Sequence, residues 1–241
     1  MRRSGRALEP TARAESVPPS SITVVIPTRD EEGGIAEIIE AARPSCDEIL
    51  VIDGHSSDRT REIAAASGAR VVLDQGKGKG GALRQSITEA KGDILVFIDA
   101  DGSHDARDIP AMVAPIKADQ FDMVVGSRGR GGSDELHGTI DQFIRYVGSQ
   151  LIMLAINYRW NVRLTDSQNG FRAIRRDVAA KLGLTSNLTT IEQEITMKAL
   201  KQGYRVGEIP SHEYERRWGK SKVVVWKLWF AYLWSFARNI I

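Results

Sequence analysis

The residues best suited to chemistry are two carboxylates one residue apart. Residues 94–98 read Ile-Leu-Val-Phe-Ile, and this apolar run stops on Asp99-Ala100-Asp101. Such a run marks a strand buried on both faces of a parallel sheet. Open α/β sheets bind ligands at the carboxyl ends of their strands, so the pair falls where a ligand would lie. Packing gives an apolar strand no reason to end in two acids. Two hard oxygen donors suit Mg2+ or Mn2+, which take a carboxylate or two and complete their shell with substrate phosphates. The plainer alternative is a helix cap or turn, for which Asp is well suited.

Basic groups could supply the counterpart for phosphate. Arg128 lies in Ser127-Arg128-Gly129, and Arg216, Arg217 and Lys222 in Arg216-Arg217-Trp218-Gly219-Lys220-Ser221-Lys222. Arginine offers a two-pronged fork and lysine a point charge, although a lone surface arginine is usually just solvated. Asp166-Ser167-Gln168-Asn169-Gly170-Phe171-Arg172 gathers hydrogen-bonding groups around an Asn-Gly turn signal. Residues 76–81 (Gly-Lys-Gly-Lys-Gly-Gly) are not a P-loop, because Ala82 follows Gly81 where Lys is required. They also lack the form of a dinucleotide fingerprint, and read as a loop whose glycines let backbone approach a ligand. The four histidines show no paired ligand spacing, which argues against zinc, and no Gly-x-Ser-x-Gly elbow supports a hydrolase.

These groups need a scaffold, and the hydropathy pattern supplies one. Strands are expected over 21–27, 48–53, 70–73, 93–98, 121–126 and 205–210. Helices are expected over 33–43, 57–67 (capped by Ser56 or Ser57), 80–90, 109–118, 139–157 and 190–202. Alternation of strand and helix implies a parallel sheet. The early strands run into Pro27-Thr28-Arg29-Asp30-Glu31, Asp53-Gly54-His55, Asp99-Ala100-Asp101 and Gly126-Ser127-Arg128, so one sheet edge is the candidate ligand face; His55 and His104 belong to it. Residues 126–138, with five glycines and two arginines, read as a mobile loop. Residues 222–241 hold Trp226, Trp229, Phe230, Tyr232, Trp234 and Phe236 beside Lys227 and Arg238. That is either an interfacial membrane helix or a helix packed on protein.

The 241 residues allow one large α/β domain or two small ones, and the 42% hydrophobic and 27% charged content is ordinary for a globular chain. A net charge of +2 argues against bulk nucleic-acid binding. The single cysteine, Cys46, excludes an internal disulfide and suits a reducing compartment. No apolar stretch is long enough for a confident membrane span. Residues 1–20 have no apolar core of a secretory signal and read as a disordered tail.

In order, Val25-Ile26-Pro27-Thr28-Arg29-Asp30-Glu31, Val51-Ile52-Asp53, Ser56-Ser57-Asp58-Arg59-Thr60, Gly78-Lys79-Gly80, Asp99-Ala100-Asp101, Val125-Gly126-Ser127-Arg128, Gly170-Phe171-Arg172 and the Arg216–Lys222 motif form a specific set. This set resembles the family-2 glycosyltransferases, above all the dolichyl- or polyprenyl-phosphate sugar synthases, over residues 21–222. The resemblance implies a GT-A (Rossmann-like) α/β fold, a mostly parallel sheet flanked by helices, with residues 223–241 as an amphipathic, aromatic-rich C-terminal helix. It implies an inverting hexosyl transfer from a nucleotide-sugar (GDP-mannose or a UDP-sugar) to polyprenyl or dolichyl phosphate, with Mg2+ or Mn2+ as cofactor. Pro27, Arg29 and Glu31 would line the nucleotide pocket, and Ile52 and Asp53 would hold the base. Asp99, Ala100 and Asp101 would bind the sugar-nucleotide, with Asp101 and Asp99 on the metal. Arg128, Arg216 and Lys222 would hold the donor diphosphate or acceptor phosphate, and Arg128 joins the two aspartates as catalytic. The expected setting is the cytoplasmic face of a membrane, peripheral, with a homo-oligomer as an option. Two positions depart from the family pattern: Gly54 replaces a second Asp after Asp53, and Ser103 replaces a metal-binding Gln. A family-2 transferase acting on a hydroxyl acceptor is the main alternative; it would need a base such as Asp166, Glu192 or Glu194. A nucleotidyltransferase and a non-catalytic scaffold are the others.

Overall fold

The computed structural model describes residues 20–134, 140–218 and 225–240. The expected tail, save Ser20, lies outside the described residues, and so does Lys222.

Seven strands form one sheet in the order β3-β2-β1-β4-β6-β5-β7. They are β1 (Ile22–Thr28), β2 (Glu48–Asp53), β3 (Arg70–Leu73), β4 (Ile94–Phe97), β5 (Met123–Ser127), β6 (Arg172–Arg175) and β7 (Val206–Pro210). All neighbours pair in parallel except β6, which runs antiparallel between β4 and β5. The sheet is therefore mostly parallel. The sequence pattern does not mark β6: Arg-Ala-Ile-Arg is four residues long and charged at both ends.

The period of two along each strand divides the core between the two faces. Val24, Ile26, Ile94 and Val96 point to one face, where they meet α1 (Ile35–Ala42), α2 (Thr60–Ala66) and α4 (Ile109–Lys117). Val25, Leu95 and Phe97 point to the other, against α3 (Gly78–Glu89), α7 (Arg176–Lys181) and α8 (Ile191–Lys201). Helix α2 begins later than its pattern suggests, and neither Ser56 nor Ser57 caps it. Ser56 Oγ serves Asp53 and the Asp30 amide, Ser57 serves Asp30, and the Asp58 carboxylate takes the Thr60 amide at 3.0 Å. Cys46 is half-buried, and burial above all pushes its thiol up to about 11, so it stays protonated.

A third cluster joins α6 (Ile140–Trp160), α8 and α9 (Val225–Ile240), with Phe236 and Ile240 of α9 packed near Ile152, Ile156 and Met197. Part of α9 is thus docked on protein. Phe230, Leu233 and Trp234 are exposed, as are Val147, Leu151, Leu154 and Tyr158 of α6. The last four recur at helical spacing and form one stripe. Among the described residues no helix is long and apolar enough to cross a membrane.

The stretch 126–138 is not one loop. Gly126 and Ser127 finish β5, and α5 (Arg128–Gly131) is a single helical turn. Asp134 N then donates to the Glu213 carbonyl, and Ser133 pairs with Glu213. Ion pairs and backbone bonds order this part; residues 135–138 lie outside the described residues.

Candidate active site

The carboxyl ends of β1, β2 and β4 open into a cleft of about 590 Å³. Its walls include Pro27, Arg29, Glu31, Ile52, Asp99, Ala100, Asp101 and Arg216, all expected from the sequence. They also include Gly54, His55, Asp74, Gly76, Gly78, Lys79 and Thr189. Pairing of Thr28 with Asp53 and of Val25 with Phe97 sets the three strand ends side by side.

Neither motif aspartate caps a helix. The short turn Ala106–Asp108 is capped by Asp105, and α4 begins at Ile109. Asp101 is buried; its Oδ1 accepts the Ser103 amide at 3.0 Å and its Oδ2 meets Arg216 Nη2 at 2.8 Å. Asp99 gives its oxygens to Lys79 Nζ at 2.8 and 2.9 Å, and the same ammonium meets Glu192 Oε1 at 2.9 Å. Burial opposes the Asp99 charge, but the lysine outweighs it and holds the carboxyl below its usual range. Burial likewise works against the lysine's charge, and Asp99 and Glu192 overcome it and raise its pKa. Gly170 makes room for this pair: a Cβ there would stand 2.8 Å from Asp99 Oδ2.

The base side of the cleft is built differently from expectation. Ile52 lines it, but Asp53 is fully buried and turned away, taking the Ser56 amide at 2.9 Å and facing Arg61. The wall is made instead by Gly54, by His55 in the left-handed region (φ 59°) and by Asp74 beyond β3. His55 Nε2 lies 3.4 Å from Asp74 Oδ1, and Asp74 takes the Gly76 amide at 2.7 Å. Asp74 carried the same sequence signal as Asp99, an acid directly after an apolar strand. The glycine run serves chain packing as well as the cleft. A Cβ on Gly78 or Gly80 would collide with the carbonyls of Asn187 or Ser186.

Arg128 stands apart from this cleft. Its guanidinium takes Asp166 at 2.6 and 3.1 Å and Glu213 at 3.2 Å. Burial is opposed by these carboxylates, which raise its pKa and hold Asp166 low. Glu194 is pinned by Lys198 at 2.7 Å and by the amides of Thr185 and Ser186; these partners overcome burial and keep its carboxyl low. Arg172 is fully buried and donates to the carbonyls of Asn169, Glu192 and Ser167, so it fixes the 166–172 turn rather than binding ligand. His104 is buried against Phe171, and burial, against the pull of Asp99, lowers its pKa and keeps it neutral.

Among the described residues no group of three or more His, Cys, Asp or Glu is placed to hold a metal ion. Asp101 on the cleft wall, with Asp99 beside it, nevertheless fits a hard divalent cation that takes its remaining oxygens from a diphosphate and water.

Residues 23–183 match the family model Glycosyl transferase family 2, and the chain belongs to that family. It is 30% identical over 212 residues to the low-salt glycan biosynthesis hexosyltransferase Agl6 of Haloferax volcanii, covering 86% of this chain and 50% of that one. The chain thus spans half the length of that relative. It is 28% identical over 205 residues to the dolichyl-phosphate hexose transferase of the same organism, covering 84% and 86%. Glucosyl-3-phosphoglycerate synthase from Mycobacterium tuberculosis, crystallised with Mn2+, uridine diphosphate and phosphoglyceric acid, matches with a TM-score of 0.69 over 91% of this chain and 78% of that one, at 21% identity. The fold is GT-A.

Proposed function

We propose that the chain moves a hexose, with inversion, from a nucleotide-sugar (GDP-mannose or a UDP-sugar) to a polyprenyl or dolichyl phosphate. One observation carries the choice of acceptor: each candidate general base is tied to a cation. Asp166 is held by Arg128, Glu194 by Lys198 and Glu192 by Lys79. A hydroxyl acceptor needs its proton removed; a phosphate is already anionic near neutral pH.

In this reading the diphosphate of the donor lies against Asp101 and Ala100, between Arg29 and Arg216. Bound Mg2+ or Mn2+, held by Asp101 with Asp99, would supply a Lewis acid for the departing nucleoside diphosphate. Arg216 and Arg29 offset the charge that grows on that leaving group. The acceptor phosphate oxygen bonds to the anomeric carbon from the opposite face as the bond to the diphosphate breaks. Lys79 keeps Asp99 ionised and fixed. Gly54 and Asp74 take the base-side role expected of Asp53. Arg128 stands apart from the cleft, whereas Arg29 and Arg216 line it, so we assign phosphate binding to Arg216 and Arg29, with Lys222 in the same motif as Arg216.

A lipid acceptor fits the exposed apolar face of α6 and α9. Trp and Tyr favour the water–lipid boundary, and Trp234 and Tyr158 are 71% and 91% exposed. Helix α9 also reaches the cleft wall, since Tyr232 Oη donates to the Thr189 carbonyl at 3.3 Å. We place the protein on the cytoplasmic face, peripherally bound.

The test is a screen of nucleotide-sugars with a short polyprenyl phosphate and Mg2+ or Mn2+. Transfer to the lipid phosphate, lost in Asp101→Asn and kept in Glu192→Gln, is expected. Transfer only to a hydroxyl acceptor, lost in Glu192→Gln, would replace this reading with the hydroxyl one.

A further inference from the structure

After β7 the chain crosses the loop that carries the motif aspartates. Tyr214 N donates to the Ser103 carbonyl at 2.9 Å, and Arg217 N to the Asp101 carbonyl at 3.0 Å. This strap is locked by an aromatic plug. The Trp218 indole lies on Gly33, Gly34 and Gly102, which come from the two loops that bring Glu31 and Asp101 to the cleft wall. A Cβ would approach the ring to 3.0 Å at Gly33, 2.5 Å at Gly34 and 2.6 Å at Gly102. Three side-chain-free positions therefore make a notch for one ring. Two residues before it, Arg216 lays its guanidinium 2.8 Å from Asp101 Oδ2 and 3.9 Å from Glu31. Arg217 turns the other way, to Glu37 at 3.1 Å.

We propose that Arg216 is a resident counter-ion of Asp101 that a divalent cation must displace, and that Trp218 in its glycine notch positions it there. The inference rests on the reading of the cleft as a metal-assisted nucleotide-sugar site. Arg216 occupies Asp101 Oδ2, and a divalent cation held by Asp101 would compete with it for that carboxylate. With no donor bound, the arginine neutralises Asp101 and keeps metal affinity low. A diphosphate offers the guanidinium a better, two-pronged partner, so Arg216 moves to phosphate as the cation takes Asp101. Metal and nucleotide then bind together or weakly alone. Trp218 is a positioning residue, acting only through Arg216.

The experiment measures binding rather than turnover, with Mn2+ alone and with Mn2+ plus uridine or guanosine diphosphate, by electron paramagnetic resonance of free Mn2+ and by calorimetry. Arg216→Gln should bind Mn2+ alone about fivefold more tightly or better, the factor that matches the ~1 kcal/mol of a partly exposed ion pair. It should bind the nucleotide with Mn2+ more weakly than wild type. Trp218→Ala should shift Mn2+ affinity in the same direction and add nothing in the Arg216→Gln background, which a merely structural role for the indole would not produce. Mn2+ affinity that is unchanged or weaker in Arg216→Gln overturns the proposal, even where the wild type binds nucleotide with Mn2+ and so upholds the functional reading. If neither wild type nor Arg216→Gln takes up Mn2+ or nucleotide, the functional reading falls with it.

Discussion

Lys79→Met removes the charge that joins Asp99 and Glu192 while keeping the apolar stem. The side chains of Lys79, Asp99 and Glu192 are 26%, 28% and 3% exposed. Breaking a fully buried pair costs about 3–5 kcal/mol, and a surface pair about 0–1 kcal/mol. With one carboxylate enclosed and the other a quarter open, we expect about 2–3 kcal/mol at pH 7.5, by interpolation between these limits. For a chain of this size that lowers Tm by roughly 4–12 °C. The sign with pH is specific. In the wild type the folded pKa of Asp99 is depressed. Its contribution is present above the unfolded value of about 4 and is lost as pH falls through the folded value. Without the lysine, burial is no longer outweighed and raises the folded pKa of Asp99 above its unfolded value of about 4, so a proton is taken up on acidification and relieves the strain. The cost of the substitution should therefore shrink between pH 7.5 and pH 4.5. Urea melts of both proteins at the two pH values test this. A cost below about 0.5 kcal/mol at pH 7.5, the size of an ordinary surface change, or an equal cost at both pH values, would refute the reasoning.

Asp166→Asn leaves the enclosed Arg128 with Glu213 alone and should cost about 2–4 kcal/mol near neutral pH. Because the folded pKa of Asp166 is depressed, the gap between variant and wild type in chemical melts should close as pH drops below about 4. Gly92→Ala should cost at least about 2 kcal/mol in denaturant, since its Cβ would stand 2.5 Å from the Thr23 amide nitrogen in β1 and backbone cannot yield cheaply; an unchanged midpoint would show that the strand edge can shift. Leu154→Asp with Trp234→Asp should abolish cosedimentation with anionic lipid vesicles while moving stability by no more than about 0.5 kcal/mol per site. Unaltered sedimentation would assign that face to a protein partner. Deleting α9 is not a clean substitute, because Phe236 and Ile240 belong to the third core cluster.

Much of this protein is written in short-range pattern. The strands β1, β2 and β4 carry apolar runs, and their polar ends fall together because parallel strands share one direction; that alone gathers Pro27–Glu31, Asp53–His55 and Asp99–Asp101 on one edge, while the place of Ile52 in the pocket is legible only through the family resemblance. Strand β6 is not legible because its charged ends hide a four-residue strand, and Arg172 is buried there because the carbonyls of residues 167, 169 and 192 converge on it. Asp53 lies off the cleft wall for a related reason. A carboxylate at a strand end can face the ligand or brace the next turn, and Ser56, three residues on, drew it into the turn.

Sequence by itself determined the layered α/β scaffold and the edge on which chemistry collects, because hydropathy period and strand polarity are local properties. Only the tertiary structure decided how the charges pair. It joined Lys79 to Asp99 and Glu192, Arg128 to Asp166 and Glu213, and Arg216 to Asp101. Those partners lie 20 to 115 residues apart in the chain, and the strength of a charge depends on what surrounds it after folding, not on its neighbours in sequence.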